Sequence, residues 1–365
     1  MRVSRVSRVL GFGHHGHMKE VELKFQVPAD QRAALAAAVA GSSPQPRMRL
    51  RAAYWDTPDR ALAQAGLALR VRREGRAWVQ TLKGAGDDGM TRLEHNVPLS
   101  RTAFPASVVP GADPALHAGT PAGERLLAAL ARRPTPALQL QYRTDILRRT
   151  RTIKTRIGSV ELAFDEGSIQ AGSGRLPVSE LEIELLSGSP LAVINTARGW
   201  LPRFGLWLDT RSKAERGDLL SRGETMAPPR AAPPPRLKLD APVQHARMLV
   251  LRHGVDAVCV NASQVASGMH VDGHVHALCE GLGGLSEALS TFAIGADGPA
   301  RGDGLALSVA TMLERLQVAA ERDAPQSPDP QPTETAAEVV RSPASQALLL
   351  DLLAALVEAA HAAKI

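Results

Sequence analysis

Apolar and charged positions alternate with a period of two between residues 19 and 98, and the same beat returns between 138 and 186. Successive side chains on a strand leave opposite faces. The alternation therefore predicts strands near 19–27, 47–55, 67–73, 76–83 and 90–98, and again near 138–152, 157–166 and 178–186. Gly75 supplies the turn of a hairpin between the third and fourth. Helical spacing lies between these runs. An Ala-rich helix is expected over residues 30–40 before Gly41, a short one over 58–65 opened by Pro58, and others over 124–133, 191–201 and 213–220. Residues 102–120 are Pro- and Gly-rich and read as loop. Past residue 235 the beat changes to apolar positions three and four apart, through 242–262, 273–294, 302–319 and 345–364, which predicts helices only. Ala227 to Pro235 separates the two regimes with five prolines in nine residues, a stiff spacer that neither a helix nor a sheet accepts.

The charged faces carry the chemistry. Glu20, Glu22 and Lys24 share one face of the first strand while Val21, Leu23 and Phe25 share the other. Glu180, Glu182 and Glu184 alternate with Leu181, Ile183 and Leu185, and Glu161 shares a face with Asp165. Cations alternate elsewhere, Arg70 with Arg72, and Arg92 beside Glu94. Acidic strands next to basic strands imply a charged interior that holds a metal ion and a polyanion. The expected fold is α+β: an eight-stranded antiparallel closed β-barrel with flanking helices, followed by a small all-α domain. Eight strands leave room inside for side chains and one small ligand, and closure removes sheet edges. The expected division is a disordered extension at 1–17, the barrel at 18–222, a Pro-rich linker at 223–236 and a helical domain at 237–365.

Composition sharpens this picture. A chain of 365 residues accommodates two domains, and 44% apolar residues supply their cores although aromatics make up only 3%. The net charge of +6 is divided unevenly. Residues 236–365 hold 9 basic and 15 acidic side chains, leaving 34 basic and 22 acidic in the first 235. The positive excess thus sits with the barrel, where an anionic substrate needs it. Nucleic acid is disfavoured as a partner, because the cations are interleaved with carboxylates and stacking aromatics are few. Cys259 and Cys279 are the two cysteines, which fits a reducing cytoplasm. The sequence shows no stretch read as a membrane span and no signal-peptide core. His14, His15 and His17 fall in the extension and are discounted as ligands.

Eight motifs in order resemble the CYTH-domain proteins of the triphosphate tunnel metalloenzyme family. The first is the E-x-E-x-K strand Glu20-Val21-Glu22-Leu23-Lys24. Tyr54 to Asp59, Leu69 to Arg72, Trp78 to Lys83, and Arg92 to Glu94 follow. Thr144 to Arg148, Val160 to Gly167 with Glu180 to Gly188, and Ser212 to Gly217 complete the set. The resemblance implies that Glu20, Glu22, Asp165, Glu182 and Glu184 hold Mg²⁺ or Mn²⁺. It also implies that Lys24, Arg70, Arg72, Lys83, Arg92, Arg148 and Lys213 bind phosphate groups, with Glu20, Glu22, Lys24 and Arg148 at the catalytic centre. Glu94, Glu161 and Glu180 are further lumen candidates. The helical half resembles a truncated, degenerate CHAD module: His276 and the leucine spacing remain, but Cys279, Gly283, Gly284 and Ser286 stand where arginines are expected. It is the candidate surface for self-association. The implied activity is metal-dependent hydrolysis of inorganic triphosphate, or another small polyphosphate, to diphosphate and phosphate. Thiamine-triphosphatase or class IV adenylyl cyclase activity in the same tunnel is one alternative, and a non-catalytic polyphosphate-binding scaffold another.

Overall fold

The computed structural model describes residues 19–42, 47–75, 77–85, 91–99, 109–131, 137–231, 235–237, 240, 242–292, 299–322 and 334–362. The expected extension at 1–17 lies outside them. Nine strands form one antiparallel sheet: β1 Lys19–Gln26, β2 Met48–Asp56, β3 Leu67–Glu74, β4 Ala77–Ala85, β5 Thr91–Leu99, β6 Gln139–Thr155, β7 Gly158–Ala171, β8 Gly174–Gly188 and β9 Trp207–Leu208. Their order is β5-β4-β3-β2-β6-β7-β8-β1-β9. β5 also pairs with β1, through Lys19↔Leu93, Glu20↔Arg92 and Val21↔Thr91. The eight expected strands are present, and β9 is an addition. Two residues carry no alternation, so nothing in the sequence marked it. The strands β6, β7 and β8 run to 17, 14 and 15 residues, longer than their patterns suggested, and rise well above the rest of the sheet.

The helices are α1 Arg32–Ala40, α2 Ala61–Gln64, α3 Pro121–Ala131, α4 Leu191–Phe204, α5 Lys213–Ser221, α6 Val243–Ala266, α7 Asp272–Phe292, α8 Pro299–Arg322, α9 Ala336–Arg341 and α10 Pro343–Ala362. The sheet is turned inside out relative to an ordinary sandwich. Its apolar positions, including Leu23, Phe25, Leu162, Phe164, Leu181 and Ile183, point to the outside and are buried there among residues of α1 and α4. The charged positions point the other way. Alternation therefore serves two environments, a covering layer of helices on one face and a polar cavity on the other.

The helical half does not hang free from its linker. Its buried residues Leu251, Val255, Leu349 and Leu353 belong to the same continuous core as the outer face of the sheet. The Leu208 N–H donates to Gln346 Oε1 at 2.8 Å, the Thr210 N–H to Ser263 Oγ at 2.9 Å, and Arg341 lies over the Trp207 ring. The expected spacer is tied down as well, with Ala227 O 2.9 Å from His274 Nε2. The segment Pro343–His361 is long and apolar enough by composition to cross a membrane, Asp351 and Glu358 notwithstanding, and half of it is buried inside the fold.

Candidate active site

Every long strand contributes to one cavity of about 1010 Å³. Residues two apart supply its walls: Glu22 and Lys24 on β1, Arg70 and Arg72 on β3, Glu182 and Glu184 on β8. Lys83, Glu94, Arg148, Glu161, Asp165 and Lys213 complete the set anticipated from sequence. The backbones of Glu20 and Arg92 lie directly opposite each other across β1 and β5, and their side chains fall outside the described residues. Glu180 does not line the cavity. It is fully buried beneath it.

Register sorts the acidic wall into three rungs across β1, β8 and β7. Glu22, Glu184 and Glu161 form the first. Lys24 and Glu182 form the second with Ala163, and Gln26, Glu180 and Asp165 the third. The lower rungs are neutralised from within. Arg148 grips Asp165 with Nε and Nη2, both at 2.6 Å, and reaches Glu182 as well. Lys213 Nζ lies 2.7 Å from both Asp165 and Glu182 and contacts Glu180, which also pairs with Arg216. Burial opposes the Glu182 carboxylate, but Lys213 and Arg148 outweigh it and hold its pKa well below the usual range. Burial likewise opposes the Lys213 ammonium, and Asp165, Glu180 and Glu182 override it to push its pKa up.

The carboxylate oxygens of Asp165, Glu180 and Glu182 lie within 4.8 Å of one another. Lys213, Arg148 and Arg216 pair with this trio. The first rung sets three carboxylates side by side. Burial raises the Glu161 pKa; Arg148 lowers it and Glu182 raises it further. An all-oxygen anionic donor set of this kind fits a hard divalent cation.

The basic wall lines the same cavity from β3 and β4. Lys83 meets Glu94 at 2.6 Å and Arg70 lies 3.9 Å from the same carboxylate. Arg72 pairs with Glu74. Burial and the adjacent Arg70 nonetheless push the Arg72 pKa below the ordinary arginine value. Lys24 is the most exceptional cation. It is 8% exposed, its Nζ has no hydrogen-bond partner among the described residues, and burial lowers its pKa against the pull of Glu180 and Asp209. A buried ammonium without a partner is costly unless a ligand completes it.

Register separates neighbouring residues. Arg148 faces the lumen while Arg149 turns outward onto Glu166 and the Phe164 ring. His95 is absent from the lining and meets His117 instead, Nδ1 to Nδ1 at 2.9 Å. The sequence reading gave no role to Glu74, Asp209 or Arg216. Glu74 simply continues the period of Arg70 and Arg72. Arg216 follows Lys213 by one turn of α5, which is opened by the Ser212 cap on the Glu215 N–H. Gly217 lets that helix approach, since a Cβ there would lie 2.3 Å from the Tyr142 ring. Asp209 sits in an irregular segment, where no periodicity could flag it. There Arg211 binds it at 2.9 Å, and Lys24 and Arg211 overcome burial to hold its pKa at about 2.

Comparison with known proteins places this cavity in context. The model of the CYTH domain matches residues 18–217, so no residue of the helical half falls within it. An inorganic triphosphatase of Haemophilus influenzae is 32% identical over 170 residues, which are 46% of this chain and 44% of the relative. The chain thus spans less than half the length of that curated relative. Among solved structures, HpAC1 from Hippeastrum, a protein with a dominant triphosphatase activity, is 18% identical. It covers 57% of this chain and 97% of its own, with a TM-score of 0.39. The inorganic triphosphatase NE1496 is 20% identical, covers 47% and 77%, and has a TM-score of 0.20. Likenesses at that level decide nothing about activity.

Proposed function

Because this chain belongs to the CYTH family, whose domain spans residues 18–217, we propose that it hydrolyses inorganic triphosphate to diphosphate and phosphate with Mg²⁺ or Mn²⁺. The reading takes the β5–β1 pairing as the closure of a barrel around the lumen. The observation that carries it is the pair of opposed walls: a carboxylate row on β1, β8 and β7 faces Arg70, Arg72 and Lys83 on β3 and β4. A divalent cation and a polyanion together neutralise both.

Glu22, Glu184 and Glu161 would hold the cation, which when bound offsets charge on the phosphoryl oxygens. Lys24, Arg70, Arg72 and Lys83 bind and orient the triphosphate. Arginine forks match phosphate oxygens in pairs, and Lys24 acts as a buried point charge. Water attacks the terminal phosphorus, the bridging P–O bond breaks, and its electron pair leaves on diphosphate toward the basic wall. The proton of the water passes to a carboxylate of the acidic wall. Arg148 and Lys213 act one layer below, holding Asp165 and Glu182 so that β7 and β8 keep their register.

Phosphate release from triphosphate, ATP, thiamine triphosphate and long-chain polyphosphate, each with Mg²⁺ and Mn²⁺, tests the reading. Triphosphate should react fastest, with equal yields of phosphate and diphosphate, and chelation should abolish release. No release from triphosphate with either metal would overturn it. One observation favours an organic triphosphate as a second reading. Tyr54 stacks on Tyr142 at 4.5 Å between centroids, and both rings line the cavity beside Trp55. Faster turnover of ATP or thiamine triphosphate would select that reading.

A further inference from the structure

The segment that follows α4 is held from two sides. Strand β9 pairs with β1 through Phe25↔Leu208 and Gln26↔Trp207, and the Asp209 N–H donates to Lys24 O at 2.9 Å. The amides on either side of Asp209 turn the other way. The Leu208 N–H donates to Gln346 Oε1 of α10 at 2.8 Å, and the Thr210 N–H donates to Ser263 Oγ of α6 at 2.9 Å. Amides of neighbouring residues in an extended chain point to opposite edges. Two side chains of the helical half thus stand where the carbonyls of a further strand would. Both are anchored in turn. Gln346 Nε2 donates to Val340 O at 2.8 Å, and Ser263 Oγ donates to Cys259 O at 2.7 Å. Neither residue lines the cavity, and both are buried.

Between these two holds sits the fully buried Asp209. Its Oδ2 accepts from Gln26 Nε2 at 2.9 Å, Arg211 reaches both of its oxygens at 2.9 Å, and its charge attracts the Lys24 ammonium. Lys24 Nζ has no hydrogen-bond partner among the described residues. Its place in the cavity is therefore set by its own backbone and by the surrounding charges, and Asp209 supplies one of each. We infer that Gln346 and Ser263 are positioning residues of the triphosphate site: they fix the backbone at 208–210, which fixes Asp209 and the Lys24 carbonyl, and so aim the Lys24 ammonium at the substrate. The inference rests on the triphosphatase reading for the site it serves. Removing either side chain leaves a buried N–H unpaired, and the segment moves to satisfy it. A small displacement of a charged group that orients substrate is enough to weaken its hold.

A double-mutant cycle on the full chain tests this. Affinity for inorganic triphosphate is measured by calorimetry, in chelator and without divalent metal. Gln346→Met and Ser263→Ala should each weaken it about fivefold, the scale of one net hydrogen bond. In a Lys24→Met background the same substitutions should change it by less than about twofold, because the group they position is gone. Arg198→Gln is the control. It removes another contact between the two halves, Arg198 Nη2 to Asp351 Oδ1 at 2.6 Å, and should leave affinity unchanged. Ser263→Ala, the smaller change, carries the readout if Gln346→Met fails to fold. Equal weakening in both backgrounds would overturn the inference and reduce the two residues to braces of the fold. So would an equal effect of Arg198→Gln, or no effect of either substitution on the wild type. Phosphate release from triphosphate by the wild type is measured alongside. Its absence would sink the catalytic reading while the binding cycle still judges the positioning.

Discussion

Glu22 and Glu182 lie on adjacent rungs of neighbouring strands, yet their substitutions should behave differently. Glu22 belongs to the carboxylate row, where removing a charge relieves repulsion. Glu22→Gln should therefore stay as stable as the wild type and lose metal-dependent phosphate release by about a hundredfold or more. Glu182 is the partner of Arg148 and Lys213. Glu182→Gln leaves those buried cations short of charge and should cost roughly 3 kcal/mol in denaturant unfolding. The alternation of strand residues displayed both glutamates on the lumen face, but it could not separate them. The difference comes from Lys213, which is reached only by folding α5 under β8. Equal stability of the two variants would refute this division. Lys24→Met offers the converse case. It removes a buried ammonium with no hydrogen-bond partner among the described residues, so the unfolding midpoint should hold or rise while phosphate release drops at least a hundredfold. An active Lys24→Met protein would remove Lys24 from the site.

Among elements, the strands were legible because each carries its own two-faced pattern, and the helices of the second half because their apolar spacing is long. The elements that escaped are short and defined by neighbours: β9 by its pairing with Phe25 and Gln26, and α9 by the Thr335 capping box. The hairpin of β4 and β5 yields a pH prediction. It packs on a short turn, Pro114–His117, whose His117 is fully buried against Gln80 and His95. Burial, then His95, lowers the His117 pKa to about 4, against the pull of Asp113. Below its ordinary value of about 6.5 the unfolded chain takes up a proton that the folded chain refuses. Stability that is complete above pH 6.5 should therefore drain as pH falls toward 4, by on the order of 3 kcal/mol. Denaturant titrations at pH 7 and pH 4.5 check this, and His117→Gln should flatten the difference. An identical slope in the variant would show that the imidazole protonates in place.

At the scale of the whole molecule, the proline spacer invites a cut that the packing forbids. Read from sequence, a fragment of residues 18–226 should keep most of its turnover, because the pattern shows the tail joined only through the spacer. The shared core and the Gln346 and Ser263 contacts to the segment around Leu208 change that expectation. The fragment should lose about 10 °C of thermal stability or aggregate, since Leu206 and Leu208, each 2% exposed, would lose their cover. A soluble fragment with an unchanged midpoint would show that the packing is incidental. No local pattern could reveal this arrangement, because the residues that make it are ordinary apolar positions on both sides.

Strand β1 holds a position in time as well as in space. Its Gln26 reaches Glu180, 154 positions further along the chain. At synthesis rates of about 5 to 20 residues per second, the first strand waits roughly eight to thirty seconds for its principal partner. Until then the row that Glu22 shares with Glu184 and Glu161 does not exist. A nascent chain therefore has no half-built cavity in which to trap cations or phosphates. Competence arrives late, once β8 and then Lys213 have left the ribosome.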